Sequence, residues 1–204
     1  STDNSISIAK TYGIKKIIKV ISSHGTAALS RSKGAEIVTT KYIQFLDGDE
    51  TIDQDWLRKA VNKIKENDKI IGVHGYKKVY KNTSDNFYIL SDNKDWEPDY
   101  LQGAFLIERS TYEKVGGMET RIFGEEERDL YVRIVAHGKQ IWYIHELMAS
   151  HYDWKKKTLI HTIFGPSSFT IWVPFFKAIK NKQLSSYLFV YRYLIFPLFI
   201  DLFC

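Results

Sequence analysis

Asp47, Asp49 and Glu50 crowd into the tetrapeptide Asp47-Gly48-Asp49-Glu50, directly after an apolar run carried by Tyr42, Ile43, Phe45 and Leu46. Such a run makes a buried strand, which has no use for charged side chains, so the carboxylates fall just past its carboxyl end. That edge is where open α/β sheets bind ligands. Asp47 and Asp49 are two residues apart and point the same way in an extended segment. Gly48 between them lets a ligand come close to the backbone. Two converging carboxylates suit a hard cation, Mg2+ or Mn2+, which keeps waters and takes substrate phosphates as further ligands. The same letters also spell a plain turn, because Asp-Gly is a common turn dipeptide.

The elements around this stretch read as alternating helices and strands. Asp3 caps a helix over 4–12 that Gly13 ends, and 16–21 (KIIKVI) reads as a strand. A helix over 26–38 carries Arg31 and leads into the strand 42–46. Asp53 caps a helix over 56–66 whose Leu57, Ala60, Val61 and Ile64 share a face. Strands follow at 70–79 and 101–107, with a polar loop or short hairpin over 81–100 between them. Ser110 and Glu113 have capping-box spacing for a short helix that stops at Gly116-Gly117. Glu125-Glu126-Glu127-Arg128-Asp129 opens a helix to about His137, where acidic residues suit the first turn, and 140–145 is a further strand. Strand–helix alternation predicts an α/β fold with a mixed, mostly parallel sheet flanked by helices.

Size and composition set the outer bounds. The chain has 204 residues, 44% hydrophobic and 26% charged, which suits one globular domain with a real core. A net charge of +5 admits anionic partners without choosing among them. The basic residues are scattered and no nucleic-acid motif occurs, so nucleic acid is not an expected partner. The single cysteine, Cys204, excludes a disulfide framework and a zinc-type cysteine cluster. The chain opens on a polar turn and closes inside an apolar run, which reads as a fragment of a longer protein.

Five segments occur in an order that resembles the family-two glycosyltransferases of the GT-A fold, over residues 1–153. Ser1-Thr2-Asp3-Asn4-Ser5 looks like the turn after that family's second strand. Ala28-Leu29-Ser30-Arg31-Ser32-Lys33-Gly34 is similar to its Arg-Asn-x-Gly segment, with Ser32 in place of Asn. Tyr42 to Asp49 resembles its strand and DxD motif, and Val115-Gly116-Gly117-Met118 its Val-Gly-Gly-Phe turn. Glu126-Glu127-Arg128-Asp129-Leu130 matches its Glu-Asp-x-Asp-Leu helix. The resemblance implies a GT-A sheet lacking its first strand, and a nucleotide-sugar donor bound across the sheet edge. It implies that Asp49 coordinates the metal, that Asp47 contacts the ribose or a metal-bound water, and that Arg31 faces the nucleotide. His151 resembles the late metal ligand, a role a neutral imidazole accepts readily, whereas His24, His74, His137, His145 and His161 read as surface or satisfied histidines. Glu127 corresponds to the base that deprotonates the acceptor hydroxyl, with Glu126 the candidate if the register shifts by one. Crowded like charges raise at least one carboxylate pKa there, which suits a general base working near neutral pH; an acidic helix start with no chemistry is the competing explanation. Trp96, Asp99, Gln102 and Gly103 are candidate contacts to the sugar or acceptor.

The residues from 154 onward differ in character. Lys155-Lys156-Lys157 is followed by aromatic, apolar stretches broken by Gly165, Pro166 and Pro174, and 184–204 is long enough to span a bilayer but interrupted by Arg192, Pro197 and Asp201. An interfacial helical tail near Lys177, Lys180 and Lys182 is expected to favour an anionic leaflet; a helix packed on the domain is the other possibility. The expected function is inverting, metal-assisted sugar transfer to a glycan or lipid-linked acceptor at the cytoplasmic face of a membrane. A non-catalytic, degenerate binding domain of the same fold is the alternative.

Overall fold

The computed structural model describes residues 3–22, 25–81, 87–90, 101, 103–122, 124–153 and 172–192. Trp96, Asp99, Gln102, His24, His161 and the segments 154–171 and 193–204 lie outside them. Helix α1 (Ser5–Thr11) follows an Asp3 carboxylate that accepts from the Ser5 N–H at 2.9 Å, and α2 (Ala27–Ala35) is capped by Thr26 Oγ1, which accepts from the Leu29 N–H at 3.0 Å. The strands are β1 (Tyr42–Phe45), β2 (Glu50–Ile52), β3 (Ile70–Lys81), β4 (Phe87–Leu90), β5 (Phe105–Glu108) and β6 (Gln140–Asp153). Helices α3 (Trp56–Lys65), α4 (Arg109–Lys114), α5 (Glu126–Ala136), α6 (Trp172–Lys180) and α7 (Leu184–Val190) complete the described elements.

The sheet runs β1-β5-β3-β6-β2, with β4 paired to the outer half of β3. It is mixed, as expected, but not mostly parallel: of the described pairings only β3–β6, the longest, is parallel, and β1–β5, β3–β5, β3–β4 and β2–β6 are antiparallel. The reason is connectivity. A crossover helix returns the chain parallel, whereas after β3 the chain turns back as the hairpin strand β4 before β5 inserts between β1 and β3.

Residues 16–21 are not a strand: they have no described sheet partner, and Ile18 and Ile21 are exposed. β propensity needs a neighbouring strand to be satisfied, and none of the described strands lies beside this segment. β6 continues to Asp153, so His151 sits inside a strand opposite Glu50 instead of following the last one. α3 begins at Trp56 as expected, but Asp55 is the residue before it and Asp53 Oδ1 accepts from the Asp55 N–H at 3.0 Å, whereas α4 begins at Arg109, one residue before Ser110.

Two apolar cores flank the sheet. Trp56, Ala60 and Ile64 of α3 pack on Val73, Ile144 and Met148. Trp56 is fully buried and its indole N–H donates to Gln44 Oε1 at 2.8 Å, so its polar handle is satisfied. Its closeness requires Gly75, where a Cβ would lie 2.7 Å from the indole and 2.4 Å from the Glu146 carbonyl. On the opposite face α2, α4 and α5 cover Phe45, Phe105, Ile107 and Ile141. Ala178, Tyr187, Val190 and Tyr191 from the C-terminal helices join this same core.

Candidate active site

The carboxyl end of β1 delivers Asp47, and a closed turn holds it. The Glu50 N–H donates to the Asp47 carbonyl at 3.2 Å, while the Asp47 N–H donates to Glu50 Oε2 at 3.3 Å. Glu50 is almost wholly buried and is ion-paired with Lys77 of β3, so the turn is tied to the sheet by a charged pair. The sequence offers Glu50 only as part of the acidic run; its partner lies 27 residues on, and nothing in the local pattern announces it. Gly48 at the crown faces open space, with nothing within 4 Å of where a Cβ would stand.

Arg31 is the junction of the site. Projecting from α2, it donates to Asp47 Oδ1 at 2.5 Å and to Glu127 Oε1 at 2.7 Å, with Glu126 Oε1 3.6 Å away. Three segments far apart in sequence therefore meet on one guanidinium. Burial works against the Arg31 charge, but the Asp47 hydrogen bond and the charges of Asp47, Glu127 and Glu126 outweigh it and raise its pKa. Gly103 closes the site from beside β5: a Cβ there would stand 2.6 Å from Asp47 Oδ2 and 2.7 Å from Arg31 Nη2.

The two acidic residues of α5 differ. Glu127 is largely buried, and its pKa is raised by that burial and by the neighbouring Glu126 charge, with Arg31 pulling the other way. Glu126 is more deeply buried, and its Oε2 has no hydrogen-bond partner among the described residues. A buried orphan oxygen costs free energy, and here it lies beside the Arg31–Glu127 pair.

Asp49 and His151 form a second pair, with Nε2 3.3 Å from Asp49 Oδ2 and both side chains partly exposed. Asp47 does not join them: among the described residues no three His, Cys, Asp or Glu side chains converge in one cluster. An oxygen and an imidazole nitrogen fit a divalent cation that draws its remaining ligands from water and phosphate. Asp49 and His151 are thus the described side chains that could hold such a cation, while Asp47 is ion-paired with Arg31.

The Val-Gly-Gly turn has a structural task. Gly116 and Gly117 both adopt positive φ, and Arg133 Nη1 donates to the Val115 and Gly117 carbonyls at 2.6 Å each. The same guanidinium holds Asp129 at 2.6 Å, so the turn and α5 are locked together. His74 departs from expectation: it is buried, and neither ring nitrogen has a partner among the described residues. Burial, then the charge of Lys77, lowers its pKa to about 3, so it is neutral.

With Arg31 joining the DxD-like turn to the acidic helix, the resemblance acquires a geometry, and the comparisons agree with it. Residues 1–121 match the family model for glycosyl transferase family 2. The chain belongs to that family. No curated protein sequence matches it. Among solved structures, the crystal structure of GalNAc-T7 with UDP, GalNAc and Mn2+ aligns with a TM-score of 0.58 at 16% identity, covering 72% of this chain and 34% of that one. S. aureus TarS 1-349 aligns with a TM-score of 0.62 at 13% identity, covering 94% of this chain and 59% of that one. The fold is therefore the GT-A fold, and the chain spans about a third to three-fifths of the structures it resembles. The family match ends before α5, so Glu126, Glu127 and His151 enter the site through the fold and lie outside the matched segment.

Proposed function

We propose that this family-two glycosyltransferase chain moves a sugar from a nucleotide-sugar donor to an acceptor hydroxyl, with inversion and with help from Mg2+ or Mn2+. The observation that supports this best is the Arg31 junction, which sets Glu127 2.7 Å and Asp47 2.5 Å from one guanidinium. Glu127 takes the proton of the acceptor hydroxyl, whose oxygen attacks the anomeric carbon from the face opposite the departing nucleoside diphosphate. Arg31 supplies positive charge close to where negative charge grows on the leaving group. A divalent cation held by Asp49 and His151 would add Lewis-acid stabilisation of that diphosphate. GalNAc-T7 was solved with UDP and Mn2+, which is consistent with such a cation here.

Placement at the cytoplasmic face of a membrane, with a glycan or lipid-linked acceptor, belongs to the same reading. No described helix is long and apolar enough to cross a membrane. The C-terminal helices do expose Val173, Phe176, Leu184 and Leu188 beside the exposed Lys180 and Lys182. Exposed apolar residues flanked by lysines favour contact with an anionic bilayer surface.

The test is thermal-shift binding of a panel of nucleoside diphosphates and nucleotide-sugars, with and without Mn2+, on the chain and on Asp49→Ala. Metal-dependent stabilisation that Asp49→Ala abolishes supports the reading and names the base. Equal Mn2+-dependent stabilisation in Asp49→Ala refutes the metal assignment. Binding with no detectable transfer to any acceptor favours the degenerate binding domain.

A further inference from the structure

Helix α5 starts from a backbone conformation that glutamate rarely takes. Gly124 has φ 78° and Glu125, the residue before the first helical turn, has φ 63°. Glycine occupies that left-handed region freely, but a side chain bearing a Cβ is strained there. The next two residues are Glu126 and Glu127, so the direction in which Glu125 leaves the turn sets where both carboxylates meet Arg31.

Two side chains hold Glu125 in place. Arg128 Nη1, one turn along α5, donates to its carboxylate at 2.9 and 3.0 Å. The other is Tyr191, at the end of α7, whose hydroxyl donates to Glu125 Oε2 at 3.0 Å. Tyr191 is fully buried, stacks on Tyr187 with ring centroids 4.2 Å apart, and lies 5.4 Å from the Arg128 guanidinium. A phenol hydroxyl buried this deeply needs a partner, and the one it has is the strained residue. Nearby, Lys177 of α6 reaches Asp129 Oδ1 at 2.9 Å. The C-terminal helices therefore grip the first turn of α5 on both sides of Glu126 and Glu127.

We infer that Tyr191 is a positioning residue for the acidic turn of α5: its hydroxyl holds Glu125 in the left-handed conformation and so fixes Glu127 against Arg31. The tail is then part of the catalytic unit as well as a surface for other contacts. The kinetic consequence rests on the transferase reading; the structural one does not.

The test compares the whole chain with Tyr191→Phe, which keeps the ring and its packing, and with Tyr191→Phe/Glu125→Gly. Amide hydrogen exchange over residues 129–133, starting with the Asp129 N–H that donates to the Glu125 carbonyl at 2.9 Å, and sugar transfer are both measured. A hydrogen bond to a charged group is worth enough that its loss should speed exchange, and lower kcat, by roughly tenfold, while donor KM hardly moves. Glu125→Gly should then restore slow exchange and most of kcat, because glycine takes positive φ without strain and is acceptable at an N-cap. Unchanged exchange in Tyr191→Phe overturns the inference, as does a loss that Glu125→Gly leaves uncorrected. If the wild-type chain transfers no sugar, the transferase reading fails, and the exchange data still decide the role of Tyr191.

Discussion

Replacing Gly103 by alanine tests the core of the site with a single methyl group. The backbone there is not in the positive-φ region, so alanine brings no conformational strain of its own. Its Cβ would stand 2.6 Å from Asp47 Oδ2 and 2.7 Å from Arg31 Nη2, where ordinary contact begins at 3.4 Å. Each group must retreat by about 0.7–0.8 Å, which displaces both partners of the 2.5 Å Arg31–Asp47 Oδ1 bond and weakens it. A hydrogen bond between charged groups contributes about 1.5–3 kcal/mol. Asp47 is 37% exposed, so solvent screening favours the lower end. The expected result is a loss of kcat/KM of at least about tenfold, from ~1.4 kcal/mol per decade, with the fold retained by circular dichroism. Gly48→Ala is the control for the free protein, since nothing lies within 4 Å of that position; any loss there reports ligand approach instead. The assay is release of nucleoside diphosphate in a coupled reaction, with nucleotide affinity measured alongside. Wild-type kcat/KM and wild-type affinity in Gly103→Ala would refute the claim that the Arg31–Asp47 contact matters.

Glu127→Gln should keep nucleotide binding and lose transfer by about 10²–10⁴-fold, the usual worth of a general base; if Glu126→Gln alone has that effect, the base is Glu126. Because burial and then the Glu126 charge raise the Glu127 pKa, the rate should climb with pH through a value above the ordinary carboxylate range, and Glu126→Gln should move that limb downward in a kcat/KM profile. The sign for stability is opposite: between the ordinary and the raised value the folded chain keeps a proton that the unfolded chain has lost, so the Glu127 contribution declines as pH rises through that window, a slope Glu127→Gln should remove in denaturant titrations. His74, lowered from 6.5 to about 3, works at acid pH: the unfolded chain takes up the proton first, so stability drains away as pH falls from 6.5 towards 3. At 1.36 kcal/mol per pH unit that window is worth up to about 5 kcal/mol. His74→Phe should flatten the acid side of a melting-temperature profile, and an unchanged profile would contradict the neutral, unpartnered assignment.

The parts of this molecule legible in the sequence are those encoded locally. Asp47 and Asp49 follow a strand, Arg31 sits on the preceding helix, and Glu126-Glu127 opens α5, because each rests on short-range periodicity or helix-end chemistry. Pairings across the chain are not legible. Lys77 under Glu50, Arg133 under the Gly116-Gly117 turn, and Tyr191 on Glu125 are contacts between segments whose own patterns say only strand or helix. Residues 16–21 mislead for the same reason: their propensity is for a strand, but a strand exists only beside a partner. His74 carries no sequence signal, since its burial is a property of where β3 lies in the sheet.

Charge joins these pieces into one argument. The chain as a whole carries +5, yet its site gathers Asp47, Asp49, Glu50, Glu126 and Glu127. Among the described residues, the ion-pair partners of those five carboxylates are Arg31, Lys77 and, when protonated, His151. The site is therefore acidic within a basic protein, although the donor proposed for it is an anion. Binding a diphosphate there requires that the surplus be neutralised, by protons or by a cation. The two routes fall on different residues. Glu127 is buried and its pKa is raised by that burial and by the Glu126 charge, and a proton held there would disable it as the proposed base. Asp49 and His151 are partly exposed and paired only with each other among the described contacts, which is where a hydrated divalent ion can enter. In the proposed reaction a cation at Asp49 and His151 would let the donor bind without protonating Glu127, which would make metal dependence and base strength two consequences of one charge arrangement.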